Sequence, residues 1–495
     1  MNNMRVRVGM TYLLGAQAVF FCSGYAMHII LGRYLGPMEY GLFGVTLYAA
    51  TIIRTFVASG IPMSVARYVS SQPERAEAIY QSGFKIQFFL TAVISAAFYV
   101  SAVPLSNWLG DDRLSVFFRI IAPMPLFFGI FFLIQQYYNG QRRYRKQAEL
   151  LTLSYLLRAL LVIALALVGY RVVGAVAGLT AASAVVAIYC VGSRTAGSSD
   201  ESFPTSALIR FSIPVVAAAV VQSLLTDMDI MFVKKIVTGK EAAGYYTSAK
   251  ALAQVLPFGF YALSGAIYPA VSRAHAAGEQ VQFRRYIVLA NRLLLLVVLP
   301  IVILVAWNAG ELLSLVYGRR YIEGAAALRW LILSFGMLSF FIVHKTILTG
   351  AGYPTISGVL TVCLLPAYFI LQFFLTHRFG LAGAALASAS TFIGGTLLSI
   401  LMLYRKFQTG FLLASTLRIF LAAVAMSAAY FLFEGIPVPF SVRLISVCLV
   451  YILALRISGE LKLRELKEFL SAFRNVEHGD RENAVSASNQ PTGEI

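Results

Sequence analysis

LGRYLGPMEYGLF, residues 31–43, joins two long apolar runs through a short connector that contains three glycines, one proline and two charged residues. Glycine and proline are the residues that chain reversals favour. The apolar run on each side is about as long as a membrane-spanning helix, which needs roughly 20 residues. The stretch therefore predicts a turn between two spanning helices.

Composition places the whole chain in the same class. Of the 495 residues, 59% are hydrophobic and only 13% are charged, and the mean hydropathy is +0.76. Such a chain has lipid as its main solvent, which excludes a soluble enzyme or a soluble binding domain. In a membrane protein, a net charge of +18 reflects basic residues that are concentrated on one side of the membrane. The anionic partners that it favours are phosphate-bearing lipids rather than nucleic acid.

Segmentation at charges, glycines and prolines predicts about fourteen spans of membrane-crossing length. Their limits are 9–31, 40–62, 84–105, 114–138, 148–168, 172–193, 207–233, 243–270, 286–308, 324–348, 355–376, 381–403, 411–433 and 438–457. The predicted fold class is an all-α polytopic membrane protein. Basic residues that flank the spans favour the side of the N-terminus by roughly two to one, with 139-NGQRRYRKQ-147 as the densest cluster, so both termini are predicted to be cytoplasmic.

An internal repeat relates the two halves of the chain. At an offset of 203 residues, Gly36 corresponds to Gly239 and Gly41 corresponds to Gly244. Three further pairs follow in the same order at offsets up to 210: 60-GIPMSVAR-67 with 266-AIYPAVSR-273, Asn139-Gly140 with Thr349-Gly350, and 173-VGAVAGLTAAS-183 with 382-AGAALASAS-390. Collinear matches of this kind indicate a duplication, and they predict two six-helix lobes with two helices appended.

The predicted organisation follows the repeat. It consists of an N-terminal lobe over 1–193, a cytoplasmic linker over 194–206, a C-terminal lobe over 207–403, two additional helices over 404–457, and a cytoplasmic tail over 458–495. At the start of the tail, apolar residues at helical spacing beside lysines and arginines predict a membrane-surface helix. The last residues have almost no apolar content, which predicts disorder.

Charged residues at membrane depth are costly, so they are functional candidates by default. Arg54 lies near the middle of the second predicted span, Arg158 is similarly deep in the fifth, and Lys250 lies in the eighth. The main acidic residues at depth are Asp227 and Asp229. Cations outnumber acids, which favours an anionic ligand such as a diphosphate. The alternative is internal ion pairing, in which one of the aspartates holds Lys250 or Arg54.

Motifs for catalysis are missing from the sequence. It contains no GxxxxGK[ST] phosphate loop, no HExxH, no GxSxG and no paired Cys/His pattern, so we expect no ATP hydrolysis, no metal site and no cofactor. Two acidic motifs, 110-GDDR-113 and 227-DMD-229, keep an integral membrane glycosyltransferase open as a less favoured alternative, because paired carboxylates hold divalent metals. We expect a protein that is not an enzyme.

Three stretches resemble the polysaccharide transport family, the Wzx-type oligosaccharide flippases of the multidrug/oligosaccharidyl-lipid/polysaccharide (MOP) exporter superfamily. They are 31-LGRYLGPMEYGLFGV-45, 227-DMDIMFVKKIVTGKEAAGYYTSAKAL-252 and 257-PFGFYALSGAIYPAVSR-273. The resemblance implies a two-lobed bundle in the cytoplasmic (inner) membrane. It also implies secondary transport by alternating access, in which a polyprenyl-diphosphate-linked oligosaccharide is flipped to the outer leaflet for cell-surface polysaccharide such as O-antigen.

The resemblance further implies site residues. In the related lipid II flippases an arginine of span 2 lies in the cavity and is important for function, and 52-IIRTFVASG-60 places Arg54 at the matching position. A basic residue early in span 8 corresponds to the neighbourhood of Lys250. Further cations expected to meet the diphosphate are Arg33, Arg67 and Arg273.

The same hypothesis assigns a coupling ion and partners. Asp227 or Asp229 would bind H⁺ or Na⁺ and so bias the protein between inward-open and outward-open states. The expected partners are the lipid-linked oligosaccharide, membrane lipids and polysaccharide assembly enzymes. The alternative within the superfamily is a cation-coupled multidrug exporter. The basic interior disfavours it, because cationic drugs require an acidic or aromatic pocket.

Overall fold

The computed structural model describes residues 2–194, 197, 201–434 and 439–460, and these residues form helices without any strand. The prediction of an all-α fold is confirmed. The predicted surface helix and disordered tail lie outside the described residues, apart from 458–460, as does part of the predicted linker.

The first half contains α1 (Asn2–Ser59), α2 (Ile61–Ser71), α3 (Ala76–Leu109), α4 (Arg113–Ile121), α5 (Met124–Gly140), α6 (Tyr144–Leu165), α7 (Arg171–Gly192), α8 (Thr205–Asp227) and α9 (Asp229–Ile236). The second half contains α10 (Ala242–Ala253), α11 (Val255–Ala276), α12 (Gln280–Trp307), α13 (Ala309–Tyr317), α14 (Ala325–Gly350), α15 (Pro354–Phe407), α16 (Leu413–Glu434) and α17 (Phe440–Ile457). Short 3₁₀ turns precede α3 and α14, and a π-helical turn, Ala166–Tyr170, joins α6 to α7.

Eleven helical segments of the described chain are long and apolar enough to cross a membrane. Three of them, Thr11–Ser71, Tyr144–Gly192 and Pro354–Phe407, each contain two predicted spans. The break in each falls at a left-handed glycine, namely Gly36 (φ 73°), Gly169 (φ 112°) and Gly380 (φ 57°). This accounts for the fourteen predicted spans, and the chain is a multi-pass membrane protein.

The connector 31–43 has its turn at Gly36, where the φ of 73° suits a residue without a side chain. Its other repeated glycine has a different reason. A Cβ atom on Gly41 would lie 2.5 Å from the backbone nitrogen of Gly244, and a Cβ on Gly244 would lie 1.8 Å from the carbonyl oxygen of Pro37. The two glycines that correspond in the repeat therefore pack backbone against backbone.

The later landmarks of the repeat also have matching surroundings. A Cβ on Gly140 would meet the carbonyl oxygen of Ala66 at 2.7 Å, and one on Gly350 would meet the carbonyl oxygen of Tyr268 at 3.2 Å. Gly174 approaches the carbonyl of Leu165 in the same way that Gly383 approaches the carbonyl of Leu375. Glycines found by sequence alone thus mark equivalent close helix contacts.

We expect Gly244→Ala to lower the midpoint of thermal unfolding in detergent, because the new methyl group meets backbone atoms that cannot rotate away. Overpacking of this kind costs about 1–3 kcal/mol or more. Gly192→Ala is the matched control, because nothing lies within 4 Å of its Cβ position. Equal melting midpoints for the two variants would contradict the close packing.

Two compact units divide the described chain. The first comprises Met1–Leu252, Ala309–Leu331 and Thr361–Ser388, and its core includes Val65, Leu133 and Leu150. The second comprises Ala253–Asn308, Ile332–Leu360 and Ala389–Ile495, with a core around Met426 and Val447. The two lobes inferred from the sequence duplication stay a prediction. Every group of the site described below belongs to the first unit.

Candidate functional site

The helix of the seventh predicted span is broken at the two acidic residues. Helix α8 ends at Asp227, Met228 forms a turn, and α9 begins at Asp229. Both carboxylates are buried, with 7% of Asp227 and 2% of Asp229 exposed. The Ser223 hydroxyl donates to Asp227 Oδ2 over 3.0 Å, and the Tyr246 hydroxyl donates to Asp229 Oδ2 over 2.7 Å. The break brings two acids into one small volume of the protein interior.

Lys250 of α10 completes this group and is fully buried. Its ammonium donates to Asp229 Oδ1 over 2.5 Å and to the carbonyl oxygen of Thr226 over 2.6 Å, while Asp227 Oδ1 lies 3.8 Å away. The nitrogen also lies 4.2 Å from the centre of the Tyr48 ring. We call Asp227, Asp229 and Lys250 the buried ion cluster.

The cluster realises the alternative of internal pairing that the sequence left open. The groups nearest to the ammonium are hydrogen-bond acceptors and an aromatic ring face, so Lys250 is paired with the carboxylates in this arrangement. A diphosphate would have to displace them. Two ionised carboxylates with one ammonium leave one uncompensated negative charge, which is costly in the interior. A bound proton or Na⁺ would neutralise it.

A second charged group is entirely cationic. Arg54 of α1 and Arg158 of α6 are both partly buried. The positive charge of Arg54 acts on the guanidinium of Arg158. Arg158 Nε is buried without a hydrogen-bond partner, and its guanidinium carbon lies 5.8 Å from the centre of the Phe20 ring. Within the described ranges, neither arginine forms an ion pair with a carboxylate. We call them the arginine pair.

Like charges that act on each other repel, so a bound anion would stabilise this arrangement. Guanidinium groups bind phosphate oxygens with two parallel hydrogen bonds, which makes a phosphate group the natural ligand. The sequence places Arg158 deep in its span, but nothing in the spacing of residues indicates that its charge would interact with that of Arg54. This interaction depends on how the helices pack.

The arginine pair and the buried ion cluster are connected through α1. Tyr48, whose ring faces Lys250, and Arg54 lie six residues apart on this helix, which corresponds to about 9 Å along its axis. An anion held at Arg54 would therefore lie within electrostatic reach of the cluster, because charges in a low-dielectric interior are weakly screened.

The other predicted cations have local contacts of their own. Arg33 is exposed and donates to the carbonyl oxygens of Val316 and Leu315, over 2.8 and 2.6 Å, at the C-terminal end of α13. Arg67 is exposed with its guanidinium 4.5 Å from the centre of the Phe211 ring. Arg273 belongs to the second unit and is also exposed. Their contact with a substrate stays a prediction.

The acidic motif at residues 110–113 is already neutralised by cations. Asp111 accepts hydrogen bonds from Arg113 and from Lys234 of α9, over 2.8 and 2.7 Å. Although burial raises the pKa of this carboxyl, the two cations outweigh it and hold the pKa below its usual value. Among the described residues, no group of three or more His, Cys, Asp or Glu side chains is placed to hold a metal ion.

Two protein-family models match parts of this sequence. The family model described as "Polysaccharide biosynthesis protein" matches residues 6–275, which is more than half of the chain. A second family model, described as "MatE", matches residues 214–374. No curated protein sequence matches.

Several solved structures share the fold. A structure titled as the lipid II flippase MurJ in an inward closed conformation has a TM-score of 0.77 at 15% identity, covering 92% of this chain and 99% of that one. A multidrug resistance MATE family transporter in an inward-facing conformation has a TM-score of 0.66 at 15% identity, covering 78% and 94%. A MOP superfamily transporter from Pyrococcus furiosus has a TM-score of 0.59 at 15% identity, covering 82% and 96%. At these identities the likeness concerns the fold.

Proposed function

The chain belongs to the polysaccharide biosynthesis protein family, and from this membership we propose that it flips a polyprenyl-diphosphate-linked oligosaccharide between the leaflets of the cytoplasmic membrane. The resemblance of the connector and of the 227–273 region to the MOP exporters is confirmed by the family and fold matches. The observation that carries the proposal is the arginine pair, which has no carboxylate partner in the described chain.

The arginine pair supplies the substrate contact in this proposal. The diphosphate loses its water shell on entering the protein, and Arg54 and Arg158 replace it with charge-assisted hydrogen bonds. The oligosaccharide remains in the aqueous part of the cavity, and the polyprenyl chain remains in hydrocarbon. Alternating access then moves the bound head group from one side of the membrane to the other.

The buried ion cluster supplies the coupling in this proposal. It carries one uncompensated negative charge when both carboxylates are ionised, so it favours H⁺ or Na⁺. An ion shifts a conformational equilibrium only if it binds the two states with different affinity. The break between α8 and α9, at which both aspartates lie, is a place where such a difference arises, because the carboxylates would separate from Lys250 if the break opened.

A cation-coupled multidrug exporter is the second candidate, because residues 214–374 match the MatE family model and several structures with this fold are titled as MATE transporters. One feature weighs against it. The arginine pair has no carboxylate partner in the described chain and repels a cationic drug. An integral membrane glycosyltransferase has less support, because Asp111 is paired with Arg113 and Lys234.

The test uses the purified chain in sealed liposomes that contain undecaprenyl diphosphate carrying a short fluorescent oligosaccharide. We expect the protein to expose inner-leaflet probe to a membrane-impermeant oxidant, at a rate that a proton or sodium gradient alters. Protein-free liposomes are the control. The proposal is contradicted if the probe stays in its leaflet while a cationic dye accumulates in the same vesicles. That result would indicate a multidrug exporter.

A further inference from the structure

An apolar groove of about 600 Å³ lies in the first unit, next to the arginine pair along the chain. Its walls come from the end of α1, from α2, from α3 and from α8; representative lining residues are Phe56, Phe89, Leu90, Ile213, Val216 and Val220. The polar lining residue, Ser212, donates its hydroxyl to the Leu208 carbonyl, so it offers no proton to a ligand. The volume lies in the range of ligand sites, about 300–1,000 Å³.

Helix irregularities create the groove. Helix α1 ends at Ser59, Gly60 has a non-helical ψ of −113°, and α2 begins at Ile61 with a proline in its first turn. Helix α8 contains Pro214, which cannot donate a backbone hydrogen bond. At the floor of the groove the two elements approach closely, since a Cβ on Gly60 would lie 3.0 Å from Val216 Cγ2.

The groove is open to the surrounding hydrocarbon. Phe89 of α3 and Ile213 of α8 are 72% and 64% exposed although both are large and apolar. A hydrocarbon chain in the bilayer can therefore contact these lining residues directly. The lining residues of α3 fall in the half of that helix that the charge pattern predicts to be cytoplasmic, and those of α8 extend from its predicted cytoplasmic end, at Ile209, past its middle to Val221, so entry would be from the inner leaflet.

We propose that this groove binds the first part of the polyprenyl chain of the substrate while its diphosphate is held by the arginine pair, an inference that rests on the proposed function. Arg54 and Gly60 lie six residues apart, which is about 9 Å along a helix. A lipid whose phosphates contact Arg54 therefore has its hydrocarbon chain beginning at the groove.

Position also distinguishes this occupant from an ordinary phospholipid. A bilayer phospholipid keeps its phosphate at the membrane interface, whereas Arg54 lies in the middle of the predicted span 40–62. Simultaneous occupation of the groove and of Arg54 requires a lipid whose head group has entered the membrane. A flipped polyprenyl diphosphate is a lipid of that kind, and its chain fills the groove with apolar contacts.

The functional test compares two probes that share the diphosphate and the fluorescent oligosaccharide, one with an undecaprenyl chain and one with a farnesyl chain. Ala217→Trp places an indole in the groove, and Ile188→Trp on α7, an exposed position outside it, is the matched control. We expect Ala217→Trp to slow movement of both probes about tenfold or more, because both chains begin with the isoprene units that the groove is proposed to bind, while the control moves both normally.

Other outcomes overturn the inference. Normal movement of the undecaprenyl probe by Ala217→Trp, or loss of the undecaprenyl probe alone with normal movement of the farnesyl probe, shows that the groove does not hold the first part of the chain. Failure of the unmodified protein to move either probe contradicts the proposed function instead, so the two failures are distinguishable.

A direct measurement covers the case in which Ala217→Trp does not fold. The unmodified protein is irradiated with a photoactivatable undecaprenyl diphosphate, and the labelled peptides are identified by mass spectrometry. Labelling of residues 86–90 and 209–221 supports the inference. Labelling elsewhere overturns it, as does labelling of these residues by a photoactivatable phospholipid that undecaprenyl diphosphate does not displace.

Discussion

Lys250→Met is expected to lower the free energy of unfolding by about 3–5 kcal/mol, which is the usual cost of breaking a buried ion pair by removing one partner. Methionine has nearly the length and volume of lysine, so little of this effect comes from packing. The loss arises because Asp229, 2% exposed, keeps its charge or must take up a proton, and because the Thr226 carbonyl loses a donor. Denaturant titration in detergent measures the change.

The matched control is Lys235→Met on the neighbouring helix α9, since Lys235 is exposed and makes only a distant contact with the Trp108 ring, at 5.9 Å. We expect a change within about 0.5 kcal/mol there. A second variant isolates the charge. Adding Asp229→Asn to Lys250→Met is expected to recover part of the lost stability, because it removes the unpaired carboxylate, and the double-mutant cycle gives the coupling energy.

Equal stability of Lys250→Met and Lys235→Met would contradict the buried ion cluster. A coupling energy of zero in the double-mutant cycle would contradict it as well, since Lys250 and Asp229 would then not interact. Either result would return Lys250 to the role that the sequence resemblance implied, a cation available to the substrate.

Arg54→Gln and Arg158→Gln are expected to have the opposite pattern, with loss of transport and no loss of stability. Each arginine faces a like charge in this arrangement, so removing one relieves repulsion. A hydrogen bond between an arginine and a phosphate contributes about 1.5–3 kcal/mol, which corresponds to roughly 10- to 150-fold in affinity. Initial rates with the undecaprenyl probe at several probe densities measure this loss, and thermal unfolding measures stability.

Two controls distinguish a phosphate site from a general charge effect. Arg54→Lys retains the charge but cannot form two parallel hydrogen bonds, so an intermediate rate is expected. Arg378→Gln removes an exposed cation that lies over the Phe379 ring and has no assigned role in the site, so near-normal transport is expected. A strongly destabilised Arg54→Gln variant would indicate an internal partner for Arg54, and normal transport by both glutamine variants would remove the arginine pair from the substrate site.

Much of the architecture was predictable because a bilayer restricts what a chain can do. Hydrocarbon leaves no solvent for backbone polar groups, so spans must be helices of a nearly constant length, and apolar runs reveal them. The glycines at 36 and 41 were informative for a related reason. A left-handed φ and a backbone contact both exclude side chains, so they leave a residue type that can be recognised, and its recurrence at 239 and 244 exposed the repeat.

The partners of the charges were not predictable to the same extent. The sequence identified Arg54, Lys250, Asp227 and Asp229 as costly at membrane depth, but one set of residues was compatible with a cationic cavity and with internal pairing. Which arrangement forms depends on the rotation of α1, α8 and α10 about their axes and on the break at Met228, and these follow from helix packing. Hydropathy carries no information about them.

What the sequence determines and what the tertiary structure determines differ for a physical reason. Span number and helical class follow from local requirements that every residue meets within its own helix, so the amino-acid order is sufficient for them. The repeated glycines can be recognised by residue type, although the contact of Gly41 with Gly244 joins α1 to α10. Lys250 pairs with Asp229 across two consecutive helices, whereas Arg54 and Arg158, whose charges act on each other, belong to the helices α1 and α6. Those contacts exist only once the helices have packed, and it is they that separate an ion site from a phosphate site.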